Sequence, residues 1–486
     1  MKAFKYSLLF LFCFASHLLS QALEIEWQKS YGGEKDEAAY FTCQTNDGGY
    51  ICAGYTQSIG AGQSDVWLLR INSSGDTLWT KTYGGTNYDW IQYFLPTSDG
   101  NFLISVRSYS FGSGGADMWI FKIDPYGEVI FSKLFGTPAD DWSGSIVETA
   151  DNGFIVAGFT TGLGAGSRDG WILRLNSIGD TLWTKTYGGE QSDSFYGVAI
   201  TGDEGFLFAG RTESFGNGST DVWIIKTDQY GDTVWTKTFG GIDSDFASRV
   251  IITDDGEIMV LAETQSFGGG LSDFCLINYD DSGNVNWFQT YGSNMSERPF
   301  SFRMISPDEY IIAGMKLSDP PIYDNGLLIK ANATGDRLWN QEIGGAFDDG
   351  IMDINRTSDG GFIISGMTYK SETSDSDLWL VKMKPEIPVR IEDNERTIDF
   401  CLSQNYPNPF NPSTLISWQL ADGSKVNLKI FDVLGREIVT LVDEYQNAGI
   451  HHSTFSTQHY SMPSGVYFYQ LSAGEFRTTK KMILTK

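Results

Sequence analysis

The sequence predicts an all-β protein: a seven-bladed β-propeller followed by a small Ig-like β-sandwich. Three observations carry the propeller. A triplet returns every 52 residues without a slip, as Tyr31-Gly32-Gly33, Tyr83-Gly84-Gly85, Phe135-Gly136-Thr137, Tyr187-Gly188-Gly189, Phe239-Gly240-Gly241, Tyr291-Gly292-Ser293 and Ile343-Gly344-Gly345. A fixed period in this range marks one supersecondary unit repeated, here seven times. Each unit divides into four short strand-like runs. The two ends of the repeat region are complementary, with a spare fourth segment at the start and a missing one at the end.

In the first unit residues 40–46 read as a strand, and Asp47-Gly48 supplies the turn of a tight hairpin. A second apolar run, 50–56, follows, then the Gly-containing loop 58–62. Residues 65–71 form the third strand, 73–76 turn the chain, and 77–83 form the fourth. Four runs of β-branched and aromatic residues between Gly/Asp turns fit one propeller blade. No segment sustains a 3.6-residue apolar period, and a β-helix needs shorter coils than 52 residues. The last unit stops at Trp379-Leu380-Val381-Lys382, so residues 25–31 are predicted to serve as its fourth strand and close the ring.

The tryptophans keep the same register. Trp27, Trp79, Trp183, Trp235, Trp287 and Trp339 share one position, with Phe131 in the seventh slot. Trp67, Trp119, Trp171, Trp223 and Trp379 share another, with Cys275 and Leu327 as replacements. Large rings recurring at one strand position bury the most area per side chain and fit packing between blades.

Residues 1–22 read as a secretory signal peptide. Lys2 and Lys5 precede an apolar run over 6–14 and a small-residue site at Ser20-Gln21-Ala22, too short for a membrane span. Phe12 before Cys13 rules out a lipoprotein cysteine. The propeller then spans 23–384, a charged linker 385–400 and a C-terminal domain 401–486. The formal net charge of −27 excludes nucleic acid and anionic membrane as partners and suits solubility or cation binding. Nothing else in the chain is apolar enough to span a bilayer.

Cys43 and Cys52 flank the Asp47-Gly48 turn. A two-residue turn would pair them across the strands, close enough for a disulfide; in other units Leu95/Ile104 and Val147/Val156 hold these positions, so two buried apolar cysteines are the other reading. Cys275 and Cys401 have no evident partner.

The four histidines are His17, His451, His452 and His459, so the repeats contain none. A Ser-His-Asp or Cys-His mechanism, or a histidine-ligated metal, cannot be built there. What does recur is an acid six residues after each triplet begins: Glu37, Asp89, Asp141, Asp193, Asp245, Glu297 and Asp349. Seven carboxylates at one repeat position form a ring, placed by the order of strands at one mouth of the channel. The Gly-rich loops 110–114, 214–218 and 266–270 would open on the same face. So would Asp65, Asp117, Asp169, Asp221, Asp273 and Asp377, with Asn325 in the seventh slot. Gathered carboxylates raise one another's pKa or recruit a cation, calcium being the hard ion that suits them; the alternative is that each satisfies loop amides. Trp90, Trp142 and Phe246 follow the acidic position in three units only, and units six and seven replace the Gly-rich loop with 318–323 and 370–375. Such asymmetry suits a sugar or a protein partner.

Past Lys384 the repeat ends. The C-terminal segment contains Asn405-Tyr406-Pro407-Asn408-Pro409-Phe410-Asn411-Pro412-Ser413-Thr414, alternating strands at 415–420, 426–431 and 466–471, the turn Ile430-Phe431-Asp432-Val433-Leu434-Gly435-Arg436, the run Ser464-Gly465-Val466-Tyr467, and the ending Lys480-Lys481-Met482-Ile483-Leu484. The alternation and length argue for a small β-sandwich. These four motifs, in this order over 402–486, closely resemble the C-terminal sorting domain of type IX secretion substrates. The resemblance implies passage through the periplasm and export across a Gram-negative outer membrane, with the translocon and a sorting protease as partners. The repeats resemble the generic β-propeller repeats of such exported proteins, which implies fold and little about ligand.

The expected function is therefore a secreted or surface-attached, non-catalytic propeller that binds a protein or glycan. Two other readings stand beside it: a polysaccharide-acting enzyme using a carboxylate pair, and a passive structural surface protein.

Overall fold

The 52-residue repeat folds as four antiparallel strands joined by short turns. In the first unit these are β2 (Glu37–Gln44), β3 (Tyr50–Thr56), β4 (Asp65–Ile71) and β5 (Thr77–Tyr83), adjacent in that order. The order recurs in the sheets that begin with β6 (Asp89–Pro96), β10 (Asp141–Glu148), β14 (Asp193–Ile200), β18 (Asp245–Ile252) and β22 (Ser296–Ser306). One further sheet joins the two ends of the repeat region: β1 (Ile25–Tyr31) lies against β28 (Ser376–Met383), followed by β27 (Phe362–Tyr369) and β26 (Asp349–Arg356). The computed structural model describes residues 23–386, except 254, 319–322, 370 and 372–374, and residues 401–485, except 403–404, 406–407, 421–422, 448, 458–459, 461 and 475. The expected signal peptide, most of the linker, parts of the loops 318–323 and 370–375, and Tyr406 and Pro407 lie outside the described residues. The protein is all-β, built from repeated four-stranded sheets of the propeller kind, and no α-helix occurs among the described residues.

The chain divides into two compact units, Met1–Ile387 and Pro388–Lys486. In the first unit each sheet packs on the next through its first strand, and β2 packs on β26, β27 and β28, so the first sheet meets the last. Being covered on both faces explains the burial pattern. Every residue of β3 except Tyr55, and every residue of β4, is buried, whereas β5 alternates at the surface. The middle strands consequently read as continuous apolar runs.

The outer rim is held by three side chains of each fourth strand, which reach the third turn of the following sheet. Trp27 Nε1 donates to the Ser73 carbonyl at 3.2 Å, and Lys29 pairs with Asp76 at 2.8 Å. Tyr83 Oη donates to the Gly127 carbonyl at 2.7 Å, and Tyr291 Oη to that of Gly335 at 2.6 Å. The turn glycines adopt positive φ (Gly231, 77°; Gly335, 77°), and the Trp183 and Trp287 rings cover them at a distance that leaves no room for a Cβ. At the seam the turn is replaced by two chain ends. Gln341, in the lysine slot, donates to the Leu23 carbonyl and accepts from the Leu23 amide, while the Lys384 amide donates to the Glu24 carbonyl.

The first hairpin corrects one expectation. Its connection is a type I-like turn with a glycine bulge: the Gly48 amide donates to the Thr45 carbonyl, the Thr45 amide donates to the Gly49 carbonyl, and Gly48 alone has positive φ (82°). This loop is one residue longer than a two-residue turn, so Cys43 faces Ile51 and Thr42 faces Cys52. A one-residue slip moves a side chain to the opposite face. Cys43 accordingly packs among the residues between the first and second sheets, Cys52 among those facing the last, and both are free thiols.

The second unit has a three-stranded sheet, β29 (Cys401–Leu402), β30 (Ser413–Leu420), β33 (Gly449–Ser456), and a four-stranded one ordered β32 (Glu437–Gln446), β31 (Ser424–Phe431), β34 (Gly465–Ala473), β35 (Phe476–Leu484). Its core is its own: Trp418, Phe410, Phe455, Tyr469, Leu428 and Met482, all at most 1% exposed.

Two outcomes follow from these contacts. Deleting Ile25–Tyr31 unpairs β28 and creates an apolar edge; differential scanning fluorimetry should show a midpoint lowered by at least ~5 °C, and size exclusion should show oligomers. A non-reducing peptide map of the exported protein should return Cys43 and Cys52 as separate alkylated thiols, and a Cys43–Cys52 cross-linked peptide would contradict the register.

Candidate functional site

Each repeated acid opens the first strand of its sheet and is buried: Asp89, Asp141, Asp193 and Asp245 are 0% exposed. Its amide donates to the preceding sheet, as from Asp89 to the Ser64 carbonyl (2.8 Å) and Asp245 to that of Thr220 (2.8 Å). Its carboxylate collects the amide of the triplet's third residue, Gly85 to Asp89 at 2.8 Å and Gly189 to Asp193 at 2.8 Å. It also accepts hydroxyls, Ser110 on Asp89 (2.6 Å) and Ser214 on Asp193 (2.7 Å). Glu37 and Glu297 do the same with Thr56 (2.8 Å) and Ser293 (2.6 Å).

The second family of acids opens each third strand and closes the Gly-rich loop before it. Asp65, Asp169 and Asp273 accept the amides of Gly62 (3.0 Å), Gly166 (2.9 Å) and Gly269 (2.9 Å). The two families converge on the middle glycine of each triplet. A Cβ on Gly84 would lie 1.9 Å from Asp65 Oδ1 and 2.9 Å from Asp89 Oδ2; on Gly240, 2.2 Å from Asp221 Oδ1 and 2.8 Å from Asp245 Oδ2. Asp377 and Glu37 enclose Gly32 in the same way. Only glycine fits between them.

The donors gathered on these carboxylates favour turn capping over a cation ring. Most of the carboxylate oxygens are occupied by loop amides and hydroxyls, Asp141 Oδ1 being without a partner, and among the described residues no three His, Cys, Asp or Glu side chains converge as metal ligands. The turn-capping reading accounts for Glu37, Asp89, Asp141, Asp193, Asp245, Glu297 and Asp349. Crowding has an electrostatic consequence nonetheless. Burial, reinforced by the neighbouring Glu297, raises Asp273 from 3.8 to about 6, and burial also raises Asp65, Asp117 and Asp349.

The residue after each acid behaves differently. With its partner on the second strand it reads Ala38/Tyr55, Trp90/Arg107, Trp142/Phe159, Ser194/Arg211, Phe246/Glu263, Arg298/Met315 and Gly350/Met367, a different pair in every sheet. Two positions further on, every first strand carries a bulge, which re-aims a side chain out of the ladder. The bulge residues Gln92, Tyr196, Ser248 and Phe300, together with Trp142, Phe246, Arg249 and Glu263, line a cavity of about 540 Å³ at the acid end of the first strands. Around its rim the Arg107 guanidinium lies 4.2 Å from the Trp142 ring centre and 4.9 Å from that of Tyr109, and Arg168 lies 4.2 Å from Phe159. Trp142 Nε1 donates to Gln92 Oε1. Further along the strands Arg249 faces Tyr93 (5.7 Å), and a buried Asp353 accepts from Arg303 (2.8 Å) and Ser301 (2.7 Å).

A larger cavity, about 610 Å³, lies at the opposite, hairpin end between the first two sheets. Its charged groups are spent on each other, Arg70 holding both oxygens of Asp47 at 2.6 Å. The acid-end cavity is the better candidate because its lining draws on the positions that differ from sheet to sheet. Trp142 and Phe246, singled out from the sequence, line it, and Trp90 lies beside Arg107 at 5.9 Å. Arg107, Arg168, Arg211, Arg249 and Glu263 escaped notice because their placement depends on strand partners and bulges.

In the second unit the motif residues do structural work. The Asn405 amide donates to Tyr469 Oη (2.7 Å) and Asn405 Nδ2 to Thr414 (2.9 Å). Asn408 Oδ1 accepts from the Ile483 amide (2.8 Å), and the buried Phe410 binds the Ile483 carbonyl through its amide (2.9 Å), beside Pro409. Gly435 has φ 76° in the turn capped by Asp432. Gly465, Val466 and Tyr467 pair with Leu484, Ile483 and Met482, which leaves Lys480 and Lys481 on the outer strand.

Residues 404–485 match the family described as the secretion system C-terminal sorting domain. No curated protein matches. Among solved structures, a protein of unknown function from Dyadobacter fermentans is 11% identical, with 75% of this chain and 99% of that one covered and a TM-score of 0.44. PorZ, a surface component of the type IX secretion system of Porphyromonas gingivalis, is 10% identical, with 92% and 52% covered and a TM-score of 0.33. The WD40 domain of Neurospora crassa Pan2 is 9% identical, with 60% and 88% covered and a TM-score of 0.36. The chain thus carries a type IX sorting domain behind repeated propeller-like sheets, which marks it for secretion to the cell surface or beyond.

The Asp273–Glu297 pair yields a pH dependence. A carboxyl whose folded-state pKa is raised stabilises the fold fully below its unfolded value, and the contribution is lost as pH rises through about 6. Asp273→Asn removes this term. Its melting midpoint relative to the parent should therefore rise between pH 4 and pH 8, and a constant difference across that range would show that Asp273 does not titrate there.

Proposed function

We propose that the chain is a secreted or cell-surface, seven-bladed β-propeller that binds its ligand at the acid-end mouth of the channel. It is exported by an Ig-like sandwich spanning 401–486, after removal of a signal peptide at 1–22. The binding reading is carried by one observation: positions that hold the sheets together repeat almost without change, while the pair after the acid, from which the cavity draws Trp142, Phe159, Phe246, Glu263 and Arg298, differs in every sheet. A purely structural ring has no use for that difference. The cavity lining contributes one carboxyl, Glu263, whereas glycoside hydrolysis uses two, which supports binding over catalysis.

The separate core of the second unit supports its role as an address. The tethering of Asn408 and Phe410 to β35 holds the last strand, with Lys481 exposed and Lys480 partly so, in a form that an outer-membrane translocon and a sorting protease would read. Removing residues 401–486 should leave a folded propeller in the periplasm of a host with an active type IX system. Fusing those residues to an unrelated exported protein should carry it to the surface, measured by protease shaving of intact cells. Surface display of the truncated chain would refute the assignment.

A further inference from the structure

Beside the cavity lie arginines without carboxylate partners: Arg107 packs on Trp142 and Arg168 on Phe159, two residues of the lining. Arg107, Arg168 and Arg211 each bury an Nε with no hydrogen-bond partner, and so does the Oγ of Ser143, a residue that lines the cavity and is 2% exposed. Among the described residues none of these three guanidiniums pairs with a carboxylate, in a chain whose net charge is −27. A buried donor left alone is costly, and such groups in a native protein call for a partner. Guanidinium only donates, so the partner must accept. Arg107 is held against Trp142 and by Tyr109, whose Oη accepts from one Nη, rather than by an acid, which orients its fork. Arg298, exposed at the same rim, and Arg249 within the cavity add two more cations.

The remaining lining describes the body of the ligand. Trp142, Phe246 and Phe300 are half-buried around the cavity and offer apolar ring surface. Gln92, Gln265 and Ser248 stand between them, groups that both donate and accept as sugar hydroxyls do. A cavity of about 540 Å³ is the usual size for a small ligand or a short oligosaccharide segment. An acidic peptide would satisfy the guanidiniums but presents no alternation of flat apolar faces with hydroxyls.

We infer that the channel mouth recognises an acidic oligosaccharide, its carboxylate or sulfate held by Arg107 and Arg298 and its rings laid against Trp142 and Phe246. The inference rests on the reading of this cavity as the ligand site. Binding should be measured on the full exported chain by calorimetry and tryptophan fluorescence. The probes are oligogalacturonate, hyaluronan fragments, sulfated oligosaccharide, the carboxyl-reduced form of each uronate, and a glutamate pentapeptide. The expected result is binding of at least one acidic sugar, weakened at least tenfold by carboxyl reduction or desulfation and by Arg107→Gln. Because Arg107 is partly buried, the exposed Arg298→Gln is the second variant. It should lose threefold or more with an unchanged melting midpoint, and affinity should fall as salt rises. Equal binding of the carboxyl-reduced sugar overturns the acidic specificity while leaving the cavity a ligand site. Preference for the glutamate peptide overturns the sugar assignment. Absence of binding to every probe overturns the inference. Absence of binding on a broad glycan and protein array as well overturns the cavity reading on which it rests.

Discussion

The first unit depends on a glycine held between two carboxylates. At the end of each fourth strand the middle residue of the triplet passes between the acid that opens the third strand of its own sheet and the acid that opens the first strand of the next. Gly84 between Asp65 and Asp89, and Gly240 between Asp221 and Asp245, show the arrangement. One acid folds the Gly-rich loop, the other ties the triplet amide and sends its own amide back to the preceding sheet. Buried carboxylates at such close quarters are costly, and amide and hydroxyl donors offset the cost. The 52-residue period is fixed here, because a one-residue change would put a Cβ where an oxygen sits.

The rim adds a second seam. Trp, Lys and Tyr on alternate positions of each outer strand point the same way and meet the next sheet's turn, in an order set by the two-residue period of a strand. The exposed ion pairs among them, such as Lys81 with Glu128 at 2.6 Å, contribute only about 0–1 kcal/mol each. The aromatic cover of the turn glycines carries more, since it removes apolar ring area from water. Where the chain's ends meet, the lysine gives way to Gln341 and the turn to Leu23–Glu24 beside Lys384. The seam copies the turn's hydrogen bonding with neutral backbone partners.

Much of this was legible in the sequence. The strands 25–31, 50–56, 65–71 and 77–83 were delimited by Gly/Asp turns and appear with those bounds, and β1 pairs with β28 as the unequal ends of the repeat implied. The first strand of each unit begins earlier than its apolar run, because the buried acid starts it. The cysteine pairing failed on one residue: Asp47-Gly48 suggests a two-residue turn, but Gly48 occupies the bulge of a longer one. The same kind of offset hid the site. Trp90 stood out in the sequence, yet its partner Arg107 is found only once the register is known, and the bulge residue Gln92 points into the cavity because the ladder is interrupted beneath it. Period and composition do not encode a bulge.

The contrast between scaffold and mouth bears on how an acidic protein would receive the acidic ligand proposed for it. Charge spread over the surface is screened within about 8–10 Å at physiological salt, so a ligand at the mouth senses mainly the nearest groups. Those are Glu263 and several guanidiniums, two of them packed on Trp142 and Phe159, in a setting where partial burial limits screening. The seven-fold carboxylates are turned inward to loop amides, and their field is largely compensated by the donors around them. The scaffold thus uses its acids up in holding the sheets together. What distinguishes one sheet from the next is left to the few positions after them, where the repeat stops repeating.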